Sequence, residues 1–422
     1  MAATIIIGSQ WGDEGKGKII DYLAEKSDLV VRFHGGNNAG HTVINKFGKF
    51  PMHLVPSGIF SKRAKAVIAN GVILDLEVLT AEIENLKKAG VPLKDKLYIS
   101  PRCHLIMPYH KLLDRLYEEA KGKNKTGTTG RGIGPTYADK VSYNGIRLVD
   151  LMDKKVFAQK LETQLLVKNK VLKALGEKPL EQKKIEKTFL KLITKIKPYI
   201  KETFDFIYDN LDKKEVLLEG AHGVFLDNDW GTYPFVTAST VLSGGATAGC
   251  GVPPQKIKKI VGVVKAYTTR VGAGPFPTEL FDKDGDMLVE RGNEFGTTTG
   301  RRRRCGWLDT EILRFAAKIN GFTDLAITKL DILDGFKEIK ICTHYMLNGK
   351  KVNYVDGDAR FLGKVKPVYE TLKGWRKNTN GIKKYINLPK EARDYIKEIQ
   401  KLTGVKISFV STGQERENII VI

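Results

Sequence analysis

Short apolar runs alternate with amphipathic segments along the chain, a pattern typical of a parallel β-sheet covered by helices. The opening is the clearest case: Thr4–Ile7 predicts a strand, a helix follows from about Lys18 to Glu25, and Leu29–Phe33 predicts a second strand. Later segments predict strands at Val216–Leu218, Lys259–Ala266, Leu325–Thr328 and Ile407–Val410, and helices at Leu76–Ala89, Tyr109–Ala120, Thr310–Ile319 and Pro389–Leu402. We therefore predict an α/β fold with a large, mostly parallel central sheet flanked by helices and carrying smaller appended elements.

A lysine-rich region, 153–211, carries apolar side chains every three or four positions and predicts helix throughout. Pro198 is expected to kink or end that helix. Residues 122–137 and 267–308 are rich in glycine and threonine and predict long loops, which are usually functional inside a compact protein. No repeat or clean linker divides the chain, so we predict a single domain over residues 1–422.

The net charge of the chain is strongly positive. Its 422 residues include 70 lysines and arginines against 48 acidic residues, which gives +22 at pH 7. Such an excess attracts nucleic acid, an acidic membrane surface or phosphorylated small molecules, and charge alone does not choose among them. An apolar content of 42% excludes a disordered or fibrous chain.

Cysteine usage and hydropathy indicate a reducing compartment. The cysteines, Cys103, Cys250, Cys305 and Cys342, form no C-x-x-C pair, so neither a disulfide framework nor a structural zinc is expected. The first residues run straight into a strand pattern, which predicts no signal peptide. The uncharged run Trp230–Gln255 holds too many glycines, prolines and hydroxyl residues for a membrane span. We predict a cytoplasmic protein.

The first chemical motif, Gly12–Lys18, lies between the first predicted strand and helix. It fits the pattern G-x-x-x-x-G-K, in which backbone N–H groups and a helix N-terminus hold phosphate. The next residue is Ile19 instead of the serine or threonine that normally holds Mg²⁺, so the metal must be held otherwise. Asp13 would repel phosphate unless it binds metal or removes a proton, which makes it a candidate catalytic group.

The second motif, Gly35–Thr42, follows the second predicted strand. Open α/β sheets bind their ligands at the carboxyl ends of the strands, which is also where the phosphate loop begins. His41 can donate a proton to an oxygen or bind a phosphate. Its glycine-rich surroundings favour a catalytic role over a structural one.

A third motif, Thr328-Lys329-Leu330-Asp331, ends a predicted strand and is similar to the N-K-x-D element of GTPases. An aspartate can accept from both N1–H and the 2-amino group of guanine, a pair that adenine lacks. The stem of Lys329 can pack on the ring, and Ser411–Gly413 could complete the base pocket. Combined with the phosphate loop, this motif favours GTP over ATP.

The fourth motif, Gly296–Arg304, ends in four consecutive arginines. A nucleic-acid patch or a localisation signal would explain such a run, but no aromatic residues are interleaved with it. Alternate arginines can instead clamp a dicarboxylate bidentately. The tetrapeptide Thr-Thr-Gly-Arg occurs at residues 128–131 and again at 298–301, which indicates two anion-binding loops.

These motifs, in this order, closely resemble those of the adenylosuccinate synthetase family. The matching stretches span nearly the whole chain: Gly8–Lys18, Gly35–Thr42, Gly127–Lys140, Glu219–Gly251, Lys265–Leu280, Gly292–Asp309, Thr328–Gly335 and Ser411–Gly413. The resemblance implies a homodimer and the reaction IMP + L-aspartate + GTP → adenylosuccinate + GDP + phosphate, the first committed step from IMP to AMP. It also implies one Mg²⁺ per subunit.

The resemblance implies roles for individual residues. Asp13 takes the proton from N1 of IMP, His41 assists transfer of the γ-phosphoryl group to O6, and Lys16 stabilises the transferring charge. Asp13 and the carbonyl of Gly40 contact the metal. The implied GTP contacts are Gly12, Gly15, Gly17, Lys18, Gly40, Thr42, Lys329, Asp331, Ser411 and Gly413; the IMP contacts are Asp13, Asn38, Ala39, Thr129, His222, Thr237, Val271 and Arg301; and the aspartate contacts are Thr297, Thr298, Thr299, Arg301 and Arg303.

Two positions depart from the family pattern. His222 replaces an amide side chain that faces the nucleotide, and Tyr143 stands where many members carry an arginine that reaches the IMP phosphate across the dimer. We hypothesise that IMP remains the substrate and that its phosphate is held less tightly, or by Arg147 or Arg131.

Three alternatives compete with this interpretation. A relative that aminates dGMP, as phage 2-aminoadenylosuccinate synthetases do, is disfavoured by Asp13 and by the full length, although His222 keeps it open. A GTP-binding switch would need neither Asp13 nor the arginine loop. A nucleic-acid-binding protein would show salt-dependent retention on bulk RNA or DNA.

Overall fold

The computed structural model describes residues 3–45, 47–296, 300–354 and 359–422. Its centre is a nine-stranded sheet, whose strands in chain order are β1 (Ala3–Gly8), β2 (Leu29–Arg32), β3 (Lys65–Ile68), β4 (Leu97–Ile99), β5 (Val216–Gly223), β6 (Ile257–Lys265), β7 (Asp324–Thr328), β8 (Ile407–Ser411) and β9 (Ile419–Val421). The spatial order is β9-β8-β7-β6-β1-β5-β2-β3-β4. All neighbours pair in parallel except β8 and β9. The predicted fold class is therefore confirmed.

Helices and short strands surround this sheet. The helices are Lys16–Ala24, Leu76–Lys88, Pro108–Ala120, Ile133–Val141, Leu148–Met152, Lys154–Ala174, Gln182–Ile196, Phe204–Tyr208, Gly245–Cys250, Lys283–Gly292, Thr310–Asn320, Ala359–Leu362 and Lys390–Thr403. The short strands pair as His41–Asn45 with Gly48–Met52, Ile73–Leu74 with His104–Leu105, Thr268–Arg270 with Arg304–Gly306, and Glu338–Leu347 with Leu308–Asp309, Lys350–Val352 and Lys366–Lys373. In the described ranges, no helix is long and apolar enough to cross a membrane.

Strand β1 shows why the sheet is buried on both faces. Ile5 and Ile7 pack in one hydrophobic cluster, whereas Ile6 packs in another. Successive side chains of a strand point to opposite faces, so an unbroken apolar run fits a strand that has packed layers on both sides. Helix Lys16–Ala24 contributes Ile19 and Ile20 to the cluster around Ile6 and is thereby fixed against the sheet.

Two predicted loops contain regular structure. In 122–137, a helix begins at Ile133, directly after Gly132 with φ of +78°, and Pro135 lies in its first turn, where a missing N–H costs nothing. In 267–308, helix Lys283–Gly292 begins at Asp282, whose carboxylate caps the N–H groups of residues 284 and 285. The prediction of uninterrupted loops was wrong in both places.

The predicted helix over 153–211 is in fact three helices. It breaks after Ala174, where Gly176 adopts a φ of +83°, and resumes at Gln182. The second helix ends at Ile196, two residues before Pro198, as the proline predicts. Buried Ile185, Phe189, Ile193 and Ile196 form the apolar face that packs against the rest of the molecule.

Candidate active site

The candidate active site is a cleft of about 1040 Å³ at the carboxyl edge of the central sheet. Loops that follow β1, β2, β5, β7 and β8 all open into it. Parallel strands end at the same edge of a sheet, so residues far apart in sequence meet there. This explains why the four motifs lie hundreds of residues apart and still share one cavity.

Nearly all the predicted site residues line this cleft. They are Gly12, Asp13, Gly15, Lys16, Gly17, Lys18, Asn38, Ala39, Gly40, Thr42, Thr129, His222, Thr237, Val271, Arg301, Arg303, Lys329, Asp331, Ser411 and Gly413. Thr297, Thr298 and Thr299 lie outside the described residues, as does the side chain of His41, whose backbone begins strand His41–Asn45. Of the two arginines considered for the IMP phosphate, Arg131 lines the cleft and Arg147 is not among the lining residues.

The phosphate loop makes a tight turn between β1 and the first helix. Gly12, Asp13 and Gly15 all have positive φ angles, of +87°, +60° and +84°. Aspartate is one of the few side chains that tolerate this conformation. The turn leaves the N-terminus of helix Lys16–Ala24, where the first N–H groups of a helix lack intrahelical partners four residues back, facing the cleft.

The buried carboxylate of Glu14 stabilises the phosphate loop through hydrogen bonds and an ion pair. Its Oε1 accepts hydrogen bonds from the N–H groups of Gln10 (3.0 Å) and Gly12 (2.9 Å), and its Oε2 pairs with Lys16 Nζ at 2.6 Å. The Glu14 side chain is fully buried, whereas that of Lys16 is 11% exposed. Lys16 is therefore held at the wall of the cleft by an ion pair, close to the loop amides.

Asp13 and Arg303 form an ion pair inside the cleft. The Nε of Arg303 lies 2.8 Å from Oδ2 of Asp13, whose side chain is 27% exposed. Arg303 also donates from Nη1 to Oε2 of Glu294 at 2.7 Å. The arginine of the fourth motif is thus directly connected to the candidate base of the first.

The oxygen atoms near Asp13 suit Mg²⁺. Magnesium prefers oxygen ligands and is usually held by one or two carboxylates together with substrate phosphates. Asp13 supplies a carboxylate and Gly40 a backbone carbonyl, both at the cleft. The described residues contain no cluster of three or more histidine, cysteine, aspartate or glutamate side chains that could hold a metal. The donor set therefore fits a magnesium ion that is shared with a phosphorylated ligand.

The far end of the cleft has the features of a base pocket. Oδ1 of Asp331 is buried and has no hydrogen-bond partner among the described residues, and burial raises the pKa of this carboxyl group. Lys18 turns away from the phosphate loop and donates to Ser411 Oγ (2.7 Å) and to the carbonyls of Gly413 (2.7 Å) and Asn418 (2.9 Å). Burial lowers the pKa of Lys18 to about 8.

His222 lies at the end of β5 with a φ of +62°. Burial lowers its pKa to about 3, and the positive charges of Lys16 and Arg32 act in the same direction, so the imidazole is neutral at pH 7. Its Nε2 is buried without a hydrogen-bond partner in the described part of the chain. Neighbouring His34 accepts from the N–H of Ala221 at 2.9 Å and helps to fix this strand end.

The walls of the cleft are tied together by long-range hydrogen bonds. Asn38 Nδ2 donates to Thr237 Oγ1 at 3.1 Å and joins two predicted IMP contacts. Buried Glu118 accepts from the N–H of Gly127 at 2.7 Å, and Asp114 accepts from that of Gly132 at 2.8 Å. These two carboxylates fix both ends of the loop that carries Thr129.

The sequence interpretation missed Glu14 and Glu294, two fully buried glutamates. Glu14 lies inside the first motif, Gly12–Lys18, and Glu294 lies two residues before the fourth motif, Gly296–Arg304. The signal that could have found them is charge balance: a loop dense in buried cations needs an anion nearby.

A parallel α/β sheet with a glycine-rich phosphate loop, a guanine-type carboxylate and arginines beside a candidate base defines an enzyme of GTP-dependent phosphoryl transfer. The model of the adenylosuccinate synthetase family matches residues 5–420. The chain belongs to the adenylosuccinate synthetase family.

Known adenylosuccinate synthetases are similar to this chain in sequence and in structure over its full length. An adenylosuccinate synthetase from Carboxydothermus hydrogenoformans is 50% identical, with 100% of this chain and 99% of the relative covered. The fully ligated adenylosuccinate synthetase from Plasmodium falciparum superposes with a TM-score of 0.94 at 37% identity, covering 100% and 99% of the two chains. The succinoaminodeoxyadenylate synthetase of cyanophage S-2L, bound to dGMP and dATP, gives a TM-score of 0.63 at 16% identity over 100% and 95%, which shows a shared fold alone.

Proposed function

We propose that this cleft joins IMP and L-aspartate into adenylosuccinate and releases GDP and phosphate. The overall reaction, with GTP as co-substrate and Mg²⁺ as cofactor, follows from membership of the family. The observation that carries the proposal is that Asp13, Lys16, Arg303 and Asp331 line one cavity. Formation of adenylosuccinate from IMP, aspartate and GTP, followed by absorbance, tests it.

In the first step, Asp13 removes the proton from N1 of IMP, and O6 becomes the nucleophile that takes the γ-phosphoryl group of GTP. Lys16 and the loop N–H groups stabilise the negative charge that develops on the transferring group. His41 assists as an acid. Asp13 and the carbonyl of Gly40 would hold Mg²⁺, which when bound would neutralise charge on the phosphates.

In the second step, the amine of aspartate attacks C6 and phosphate leaves. Thr297, Thr298, Thr299, Arg301 and Arg303 hold the dicarboxylate. Because Arg303 pairs with Asp13 at 2.8 Å, a substrate carboxylate that binds Arg303 competes directly with that ion pair. Binding of aspartate therefore alters the surroundings of Asp13, the general base that acts on IMP.

The other predicted site residues are assigned to the two nucleotides, GTP and IMP. Gly12, Gly15, Gly17, Gly40 and Thr42 hold the phosphates of GTP, while Lys329, Asp331, Ser411 and Gly413 hold the guanine, braced by Lys18. IMP lies against Asn38, Ala39, Thr129, His222, Thr237, Val271 and Arg301. The neutral imidazole of His222 offers one unpaired buried nitrogen to the purine.

The role of Asp331 predicts a change of base preference in Asp331→Asn. An asparagine can accept from N1–H and donate to the 2-oxo group of xanthine, but it loses the second hydrogen bond to guanine. We expect kcat/KM for GTP to fall by about a hundredfold and XTP to become the better substrate. Steady-state kinetics with the two triphosphates measure both effects.

Asp334→Asn is the matched control, since Asp334 is close in sequence but binds Trp375 and Thr379 and does not line the cleft. It should leave the order GTP over XTP unchanged. An Asp331→Asn enzyme that still prefers GTP would contradict the assigned base pocket.

We also propose a homodimer in which the partner approaches the IMP site near Tyr143. Tyr143 is 96% exposed at the end of helix Ile133–Val141, which together with Arg131 borders the cleft. Val141, Val149 and Met152, in the same part of the chain, are also exposed apolar side chains. Such a surface is typical of a contact between subunits.

On this basis, Tyr143→Arg should lower KM for IMP by about tenfold and leave kcat unchanged, because a guanidinium can bind the phosphate bidentately. Tyr208→Arg adds the same charge to an exposed tyrosine on another helix and should leave KM unchanged. An unaltered KM for IMP in Tyr143→Arg would mean that the phosphate is already fully held, with Arg131 as the first candidate.

A further inference from the structure

Glu294 is a fully buried glutamate that lies between three cations. Its Oε1 accepts from Lys329 Nζ at 2.6 Å and from Lys265 Nζ at 2.9 Å, and its Oε2 accepts from Arg303 Nη1 at 2.7 Å. The hydroxyl of Tyr267 donates to the same Oε1. Both carboxylate oxygens are therefore used, and each bond has a different donor.

The carboxyl group of Glu294 is held in its ionised form. Burial by itself would raise its pKa, but the positive charges of Lys265, Lys329 and Arg303 outweigh burial and hold the pKa well below its ordinary value. A buried carboxylate surrounded in this way stays ionised throughout the working range of an enzyme. It balances cations that would otherwise repel one another inside the protein.

Two of these cations belong to different parts of the cleft. Lys329 begins the turn after β7 with a φ of +57°, beside Asp331, and its ammonium is fixed by Glu294 and by the carbonyl of Gly292 at 2.7 Å. Fixing the ammonium restrains the aliphatic stem, which is the part of Lys329 expected to pack on the guanine ring. Arg303, on the other oxygen of the same carboxylate, pairs with Asp13.

Backbone hydrogen bonds also connect Glu294 to Arg303. The N–H of Arg303 donates to the carbonyl of Glu294 at 2.9 Å, and the N–H of Glu294 donates to Val289 at 2.9 Å, at the end of helix Lys283–Gly292. Arg303 is thus held by both the main chain and the side chain of Glu294. A shift of this glutamate must move the arginine that faces Asp13.

We propose that Glu294 is a positioning residue that couples the guanine pocket to the aspartate side of the reacting centre. One carboxylate sets the position of Lys329 for GTP and of Arg303 for aspartate and Asp13. This inference rests on the proposed function, which assigns Lys329 to GTP and Arg303 to aspartate. IMP has no assigned contact among the partners of Glu294.

The test is Glu294→Gln, which keeps the shape of the side chain and removes its charge. KM for GTP and KM for aspartate should each rise by about tenfold or more, because two cations lose their buried counter-charge. KM for IMP should stay within about twofold of the wild-type value, a selectivity that general loosening of the fold does not produce. Equilibrium binding of GDP, measured by calorimetry, should weaken in parallel with KM for GTP.

Glu311→Gln is the matched control. Glu311 is also a buried glutamate that pairs with an arginine, Arg314, and accepts from the N–H of Tyr354 at 2.6 Å. Neither of these partners lines the cleft, whereas Lys329 and Arg303, the partners of Glu294, do. It should lower the thermal unfolding temperature and leave all three KM values unchanged.

Three results would overturn the coupling: unchanged KM values in Glu294→Gln, an increase confined to one of the two ligands, or an equal increase for all three substrates. If the wild-type protein binds GDP but does not turn over IMP, the proposed function fails instead. In that case, GDP binding by Glu294→Gln at wild-type affinity would still refute the connection to Lys329.

Discussion

Replacing Asp13 with asparagine lowers kcat by about a thousandfold and leaves the fold intact, which is the range expected for loss of a general base. Asparagine adopts a φ near +60° as readily as aspartate does, so the phosphate loop keeps its turn. The amide can neither take the proton from N1 nor give Mg²⁺ a charged ligand. Single-turnover measurements of GDP formation, with enzyme in excess of GTP and with IMP and aspartate saturating, separate this loss from weaker binding.

Asp28→Asn is the matched control for Asp13→Asn. Asp28 is a partly exposed carboxylate (20%, against 27% for Asp13) that pairs with an arginine, Arg63, away from the cleft. We expect its kcat to be close to that of the wild type. An Asp13→Asn enzyme with more than about a tenth of the wild-type kcat would mean that another group removes the proton.

The second large effect is expected from Gly223→Ala, at the end of β5. An added Cβ would lie 2.3 Å from both the carbonyl oxygen of Gln10 and Oε1 of Glu14, and 2.4 Å from the nitrogen of Gly12. These atoms are the backbone and the buried carboxylate that shape the phosphate loop, and they cannot yield without moving it. We expect GDP binding to weaken by at least about a hundredfold and the free energy of unfolding to fall by about 1–3 kcal/mol.

Gly244→Ala separates this clash from the general cost of adding a methyl group. Gly244 has a φ of −60°, and among the described residues no atom beyond its adjoining backbone lies within 4 Å of a Cβ built there. The variant should bind GDP and unfold like the wild-type protein. If Gly223→Ala bound GDP normally as well, the loop would be more adaptable than the packing around Glu14 indicates.

The sequence predicted those parts of the fold that depend on local patterns. Apolar runs bounded by turns identified β1, β2 and β5 to β8, and glycine spacing identified the phosphate loop. Strands β3, β4 and β9 are only three or four residues long, too short to show a period, and unlike the equally short β2 they lead into none of the four motifs. Helix Ile133–Val141 was missed because Gly134 and Pro135 look like breakers, although a proline in the first turn is compatible with a helix.

The sequence predicted most of the residues of the candidate site. It did not predict which of them form hydrogen bonds or ion pairs with one another. Lys18 belongs to the phosphate motif by spacing, yet its ammonium lies at the turn around Ser411, some 390 residues away in sequence. Glu294 pairs with Lys265 and Lys329, which are about thirty residues distant on either side. Such pairings depend on which strands become neighbours in the sheet, and a single sequence does not specify that order.

A comparison of substrates with the purified protein tests the proposed reaction most directly. GTP, L-aspartate and Mg²⁺ are held fixed, and IMP is compared with dGMP by the absorbance change on amination. We predict turnover with IMP alone, because the chain matches adenylosuccinate synthetases over its full length, whereas the phage enzyme bound to dGMP shares only 16% identity. His222 then only modifies the IMP site. Turnover with dGMP in place of IMP, or GTP hydrolysis that does not require aspartate, would contradict this prediction.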